Sequence, residues 1–300
     1  MNGTIERIKE LKKEKKALIV AHNYMLPEVQ DIADFTGDSL ELARKCAAAP
    51  EPFILFCGVR FMAETAKILS PQKKVVIPRM DAGCPLADSI SAEEVLEYRK
   101  KYPEAAIAGY VNTNADVKVH LDVCVTSANA IDVVRKLPQK QVIFVPDKNL
   151  GYWVKKNVPE KEIILHDGGC NIHETFRKED AIAAKAAHPD AVMIVHPECR
   201  AEVVDIADFV ASTSGMIKIV RENPADKFII GTEEGHIHRL KKERPGAEYY
   251  SLGNARICPN MKKTRLENVL KSLETEQSEI ILDEDTIKKA LRPIERMVAI

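Results

Sequence analysis

Three apolar segments, ALIVAHNY (17 to 24), AAIAGYVN (105 to 112) and AVMIVHPE (191 to 198), each end in polar residues capable of chemistry. His22 precedes Tyr110 by 88 residues and Tyr110 precedes His196 by 86, and YPEA (102 to 105) and HPDA (188 to 191) share the approach at the same spacing of 86. A repeat of this length constrains the fold more than any single motif, because each copy has to build the same unit. Downstream, DIADFTGDSLELARKC (31 to 46), DVCVTSANAIDVVRKL (122 to 137) and DIADFVASTSGMIKIV (205 to 220) read as helices around a hydroxyl kernel at Ser39, Ser127 and Thr213, again 88 and 86 apart. A second strand follows in each copy (52 to 58, 141 to 147, 227 to 233) and then a third (73 to 78, 162 to 167, 247 to 252). Each third strand leads to a cysteine, Cys84, Cys170 or Cys258, spaced 86 and 88.

Strands that alternate with helices and are apolar on both faces indicate parallel βαβ units. The expectation is an α/β chain of three similar three-layer αβα domains with parallel sheets around a pseudo-threefold axis. The active site would lie at the centre, beyond the carboxyl ends of the strands. The domains are placed at 1–90, 91–176 and 177–283, with 284–300 forming a C-terminal helix that packs back on them. SAEE (91 to 94) and TRLE (264 to 267) read as capping boxes that start helices.

Three hundred residues suffice for such an arrangement. The net charge of −1, with no basic arm, argues against nucleic acid as a partner. ALIVA (17 to 21) and FILFCGV (53 to 59), the longest apolar runs, are far shorter than the roughly 20 residues that span a bilayer. With no apolar leader at the N-terminus either, no membrane association and a cytoplasmic location are expected. Seven cysteines, an odd and scattered set without a C-x-x-C pair, suit reduced thiols better than a disulfide framework. Cys46, Cys57, Cys124 and Cys199 read as small buried apolar residues. Cys84, Cys170 and Cys258 are different, because they recur at one position in three repeats, and if the repeats pack around one axis their equivalent loops would bring three thiolates together. Spacing leaves two candidates open, a zinc ion with a fourth position free or a [4Fe-4S] cluster with one open iron. His173 would be a fourth ligand or a substrate contact.

His22, Asn23 and Tyr24, then Tyr110 and Asn112, then His196 and Glu198 would face the same cavity and provide acid and base groups. The kernels at Ser39, Ser127 and Thr213 precede or open helices, where free N–H groups attract carboxylate or phosphate. A nucleophile elbow, a Walker loop and a dinucleotide fingerprint are all missing from the sequence.

Together, AHNY (21 to 24), GDSL (37 to 40), GCPLAD (83 to 88), GYVNT (109 to 113), CVTSAN (124 to 129), HPEC (196 to 199), STSG (212 to 215) and CPNM (258 to 261) resemble the quinolinate synthase family, the A protein of NAD biosynthesis. The resemblance runs in order over nearly the whole chain. It implies one [4Fe-4S] cluster per chain, held by Cys84, Cys170 and Cys258, with the open iron acting as a Lewis acid. The implied reaction condenses iminoaspartate (iminosuccinate) with dihydroxyacetone phosphate to quinolinate, phosphate and two waters, and an aspartate oxidase or dehydrogenase supplies the imine. Carried over by position, the substrate-contacting set is His22, Ser39, Tyr110, Val111, Asn112, Ser127, His173, His196, Pro197, Glu198 and Thr213. Tyr24 and Glu198 are expected to move protons with His196 assisting. The alternatives are an aconitase-type hydro-lyase acting on a hydroxy acid, and a non-enzymatic iron-sulfur sensor or zinc scaffold.

Overall fold

A computed structural model describes residues 2 to 299. Its described residues form three four-stranded, all-parallel sheets flanked by helices. The first contains β1 (Ala17–His22), β2 (Phe35–Gly37), β3 (Phe53–Cys57) and β4 (Lys74–Val76) in the order β2-β1-β3-β4. The second repeats this order with β5 (Ala106–Tyr110), β6 (Val123–Val125), β7 (Gln141–Val145) and β8 (Glu162–Leu165). The third does so with β9 (Val192–Val195), β10 (Phe209–Val210), β11 (Lys227–Gly231) and β12 (Glu248–Ser251). The α/β class and the three similar layered units are those expected from the sequence. Strands β1, β3 and β5 are buried along their whole length, as helices on both faces of a parallel sheet require.

The units share more than strand order. In each, the loop ahead of the edge strand places an aspartate under the central strand: Asp34 accepts from Ile19 N (2.9 Å), Asp122 from Ile107 N (2.7 Å) and Asp208 from Met193 N (2.8 Å). Lys12, Arg99 and Lys185 pair with these carboxylates from the preceding helix. The pairs are partly exposed and each adds little on its own. Their repeated role is to satisfy a strand N–H that the ladder leaves open.

Two sequence expectations change. The segments 31–46, 122–137 and 205–220 are not single helices, because each contains the short edge strand β2, β6 or β10 ahead of the helix Ser39–Ala48, Ala130–Lys136 or Thr213–Glu222. Strands of two or three residues are too short to show an alternating pattern. SAEE does cap a helix, with Ser91 Oγ accepting from Glu94 N (3.2 Å) and Glu94 from Ser91 N (2.8 Å). TRLE does not: Thr264 is buried, and the helix Leu266–Thr275 starts one residue later, where Asn268 Oδ1 accepts from Arg265 N at 2.9 Å.

The N-terminal helix Asn2–Glu14 packs against Leu266–Thr275, which follows the third sheet in sequence but lies on β3 of the first and so closes the ring of units. The C-terminal helix Glu284–Val298 buries Ala290, Ile294 and Met297 between the first and second units. Among the described residues, no helix is long and apolar enough to cross a membrane.

Candidate active site

The central strands β1, β5 and β9 point their carboxyl ends at one cavity lined by residues of all three units, about 760 Å³ including the open solvent at its mouth. Of the residues selected from sequence, His22, Tyr24, Ser39, Cys84, Tyr110, Asn112, Ser127, Cys170, His173, His196, Glu198, Thr213 and Cys258 all line it. Val111 and Pro197 do not: Val111 packs in the core and Pro197 is buried behind the wall. Asn23 is also buried, and its amide donates to Thr213 Oγ1 at 2.8 Å, tying the first unit to the third.

His22 and His196 occupy equivalent places and are held alike. His22 Nδ1 accepts from Tyr24 N (3.2 Å) and His196 Nδ1 from Glu198 N (3.3 Å). With Nδ1 committed as an acceptor, the neutral ring carries its hydrogen on Nε2. Burial pulls both imidazoles down to about 3, against the opposing pull of Glu198, so both remain neutral at physiological pH. They offer the cavity fixed N–H donors.

Glu198 anchors a hydrogen-bonded chain. Tyr110 donates to its Oε1 (2.5 Å), and His173 Nδ1 lies 2.8 Å from its Oε2. His173 Nε2 meets Thr232 Oγ1 at 2.9 Å, and Thr232 Oγ1 meets the Tyr24 hydroxyl at 2.6 Å. Burial works against the Glu198 carboxylate, but His173, His196 and the bonds from His173 and Tyr110 outweigh it and hold the group below the ordinary carboxylate range. Burial raises Tyr24 and Tyr110 well above the usual phenol value, and the Glu198 charge adds to the effect. Tyr24 therefore reaches Glu198 through Thr232 and His173. Thr232 escaped the sequence reading, as did Asp38, Thr126 and Glu233 on the cavity wall.

The three cysteines occupy equivalent loops, and none forms a disulfide. Burial raises all three thiols, Cys84 to about 12. Each sulfur is faced by the backbone N–H groups two and three residues on: Leu86 and Ala87, Ile172 and His173, Asn260 and Met261. Cys170 Sγ, His173 and Glu198 also place ligand atoms within 4.8 Å of one another, a group able to hold a metal ion.

Ser39 and Thr213 are the first residues of ten-residue helices whose caps, Asp38 and Ser212, already satisfy inner N–H groups. Ser127 sits in the turn before Ala130–Lys136, where Asn129 Oδ1 accepts from Thr126 N at 2.8 Å. Phe61, Met62, Leu86 and Met261 supply an apolar wall that strengthens electrostatic contacts inside.

Residues 6–299 match the protein family described as Quinolinate synthetase A protein. The quinolinate synthase of Thermodesulfovibrio yellowstonii is 52% identical over 300 residues, covering 100% of this chain and 99% of that protein. Those of Caldicellulosiruptor saccharolyticus (51%, covering 98% of both chains) and Aquifex aeolicus (47%, covering 98% of this chain and 92% of that one) are similar along their length as well.

Proposed function

The chain belongs to the quinolinate synthetase A family, and on that premise we propose that this enzyme is a quinolinate synthase of NAD biosynthesis whose central cavity condenses iminoaspartate with dihydroxyacetone phosphate, releasing phosphate and two waters. The observation that carries the reading is the convergence, from three repeated units, of three unpaired thiols and a carboxylate wired to a tyrosine. The donor set suits a [4Fe-4S] cluster. Backbone N–H groups already face each sulfur, as the outer shell of a thiolate-held centre requires. Three soft thiolates suit either a zinc ion or an iron-sulfur cluster, and membership of the family favours the cluster.

When bound through Cys84, Cys170 and Cys258, the cluster supplies a Lewis-acidic iron that helps a hydroxyl leave. The chain's own groups do the rest. Nε2–H of His22 and of His196 donates to the anionic oxygens of the imino diacid. The hydroxyls of Ser39, Ser127 and Thr213, with Asn112, take the remaining carboxylate and phosphate oxygens. With the His173 hydrogen on Nδ1, the relay runs inward. A proton taken up at Tyr24 Oη releases the phenol hydrogen to Thr232, the Thr232 hydrogen moves to His173 Nε2, and the Nδ1 hydrogen moves to Glu198 Oε2. Glu198 is ionised at the end of this chain, and because it is held below the ordinary carboxylate range it carries the proton only transiently. A cytoplasmic location and an aspartate oxidase or dehydrogenase that supplies the short-lived imine belong to the same reading. The family match favours it over a hydro-lyase, a sensor or a scaffold.

The test is to purify the protein without oxygen, measure iron, sulfide and the visible spectrum, and supply oxaloacetate, ammonia and dihydroxyacetone phosphate. Quinolinate is expected. A protein that takes up no iron, or a clustered protein that makes no quinolinate, overturns the reading.

A further inference from the structure

Behind the cysteine loops the three units stop being equivalent. One backbone bond recurs in each: Arg60 N donates to Ala82 O (2.9 Å), Lys148 N to Gly168 O (2.8 Å) and Glu234 N to Arg256 O (2.9 Å). This bond joins the loop after the second strand to the loop that carries the cysteine, and it fixes the register between units without reference to side chains. It aligns Cys84, Cys170 and Cys258, each two residues past the accepting carbonyl, and it aligns Val59, Asp147 and Glu233, each one residue before the donating amide. In two units that position is a buried carboxylate turned onto the cysteine's own amide. Asp147 Oδ2 accepts from Cys170 N (3.1 Å) while its Oδ1 accepts from Leu150 N (2.7 Å). Glu233 Oε1 accepts from Cys258 N (3.0 Å) while its Oε2 accepts from Gly235 N (2.7 Å), and Lys262 closes on the same carboxylate at 2.8 Å. The first unit has Val59 there.

Neither carboxylate is needed for the chemistry assigned above, and neither is exposed. Asp147 also begins the helix Lys148–Asn157, but capping alone does not call for the second oxygen to bind the Cys170 amide, nor for the same arrangement to recur behind Cys258. Gly168 brings the two loops together in the second unit, since a Cβ there would stand 2.4 Å from Pro146 O.

We propose that Asp147 and Glu233 are positioning residues for the metal centre. Each fixes the backbone of one cysteine loop so that Cys170 and Cys258 present their sulfurs at a set place, while the Cys84 loop, with no such carboxylate, is the adaptable third ligand. The inference rests on the cluster reading and deepens it.

The test compares Asp147→Ala, Asp147→Asn, Glu233→Ala and Glu233→Gln with the parent, all reconstituted anaerobically. The measurements are iron and sulfide per chain, the rate of iron loss to a chelator, the electron paramagnetic resonance spectrum of the reduced protein and the circular dichroism of the apo form. The two Ala variants should release iron about 10- to 100-fold faster, the range typical of lost outer-shell partners, with an altered resonance line and an unchanged apo spectrum. Asp147→Asn and Glu233→Gln keep one acceptor oxygen for the cysteine amide but turn an amide NH2 toward the second N–H, and should fall between the Ala variants and the parent. If Asp147→Ala does not fold, Glu233→Ala is judged by the same measurements. Ala variants that hold iron as the parent does, or Asn and Gln variants as labile as the Ala ones, overturn the inference while the cluster stands. A parent protein that binds no iron overturns the cluster reading itself.

Discussion

Thr232 has no charge, lies behind the cavity wall, and connects the two groups assigned to proton movement. With the His173 hydrogen on Nδ1, its hydroxyl accepts from Tyr24 and donates to His173 Nε2. Replacing it with valine preserves shape and removes the link, so Thr232→Val should lower kcat by about 100-fold or more, in the range for lost acid-base assistance. KM should change little, and Thr232→Ser should restore most of the rate; a Val variant with parental kcat would rule the relay out. His236 gives a pH-dependent prediction. It is wholly buried, neither ring nitrogen has a hydrogen-bond partner among the described residues, and burial lowers it to about 3. Because the folded pKa lies below the unfolded value near 6.5, protons favour the unfolded chain. Stability is therefore full above pH 6.5 and lost as the pH falls toward 3. One such group should cost about 2 kcal/mol by pH 5. Urea unfolding of the apo protein should show His236→Gln losing about that much less than the parent between pH 7 and pH 5; equal losses would refute the assignment. The residues legible in the sequence were those whose chemistry recurs, the cysteines, the strand-end histidines and the hydroxyl kernels. Thr232 aligns with Gly58 and Pro146, so the repeat gave no signal for it.

At the scale of the element, two of the three loops after the central strands are pinned by a buried polar side chain from the short helix that follows. Gln30 Nε2 donates to Asn23 O (3.1 Å) and Met25 O (2.9 Å), and reaches Gly235 O of the third unit at 3.0 Å. Lys118 Nζ does the same one unit on, donating to Val111 O (2.8 Å) and to Thr113 O, with its ammonium over the Phe61 ring. Burial lowers the Lys118 pKa, which marks how fully this cation is withdrawn from water. The two residues are 88 apart and so are the carbonyls they hold. Lys118→Gln should therefore be tolerated, since glutamine already performs this task in the first unit. Lys118→Met leaves two carbonyls without a donor and should destabilise by about 2 kcal/mol, with a raised KM because Tyr110 and Asn112 ride on the loop. Denaturant midpoints and initial rates distinguish the two variants; indistinguishable midpoints would show that the pin is dispensable. In sequence, Lys118 sits in VKVHLDV and reads as one more solvated lysine. Its burial is set by the packing of Phe61 from another unit, which no local pattern encodes. The edge strands β2, β6 and β10 were hidden for a related reason, since they exist through pairing with β1, β5 and β9.

For the whole molecule, the cavity exists only where three units meet, so its geometry depends on what holds the units in place. The C-terminal helix Glu284–Val298 is one such brace, and its end reaches the site. Met297 is fully buried, and its carbonyl accepts from Asn129 Nδ2 at 2.9 Å. Through its other end the same Asn129 holds Thr126, by the amide (2.8 Å) and the hydroxyl (3.1 Å), and so shapes the turn that presents Ser127. Arg296 ties the helix to Asp122 O at 2.6 Å, and Arg44 of the first unit reaches Val298 O at 2.9 Å. Removing the Met297 side chain and removing the helix end are therefore different experiments. Met297→Ala empties a core position at a cost of about 2 to 5 kcal/mol but keeps the carbonyl that orients Asn129. A chain ending at Arg296 loses both, and frees the Thr126 to Asn129 turn as well. The denaturation midpoint should fall in both proteins and further in the shorter one. KM for dihydroxyacetone phosphate should rise only in the shorter chain, because only there does Ser127 lose its support. Equal KM values in the two proteins would mean that the brace stabilises the fold without setting the site.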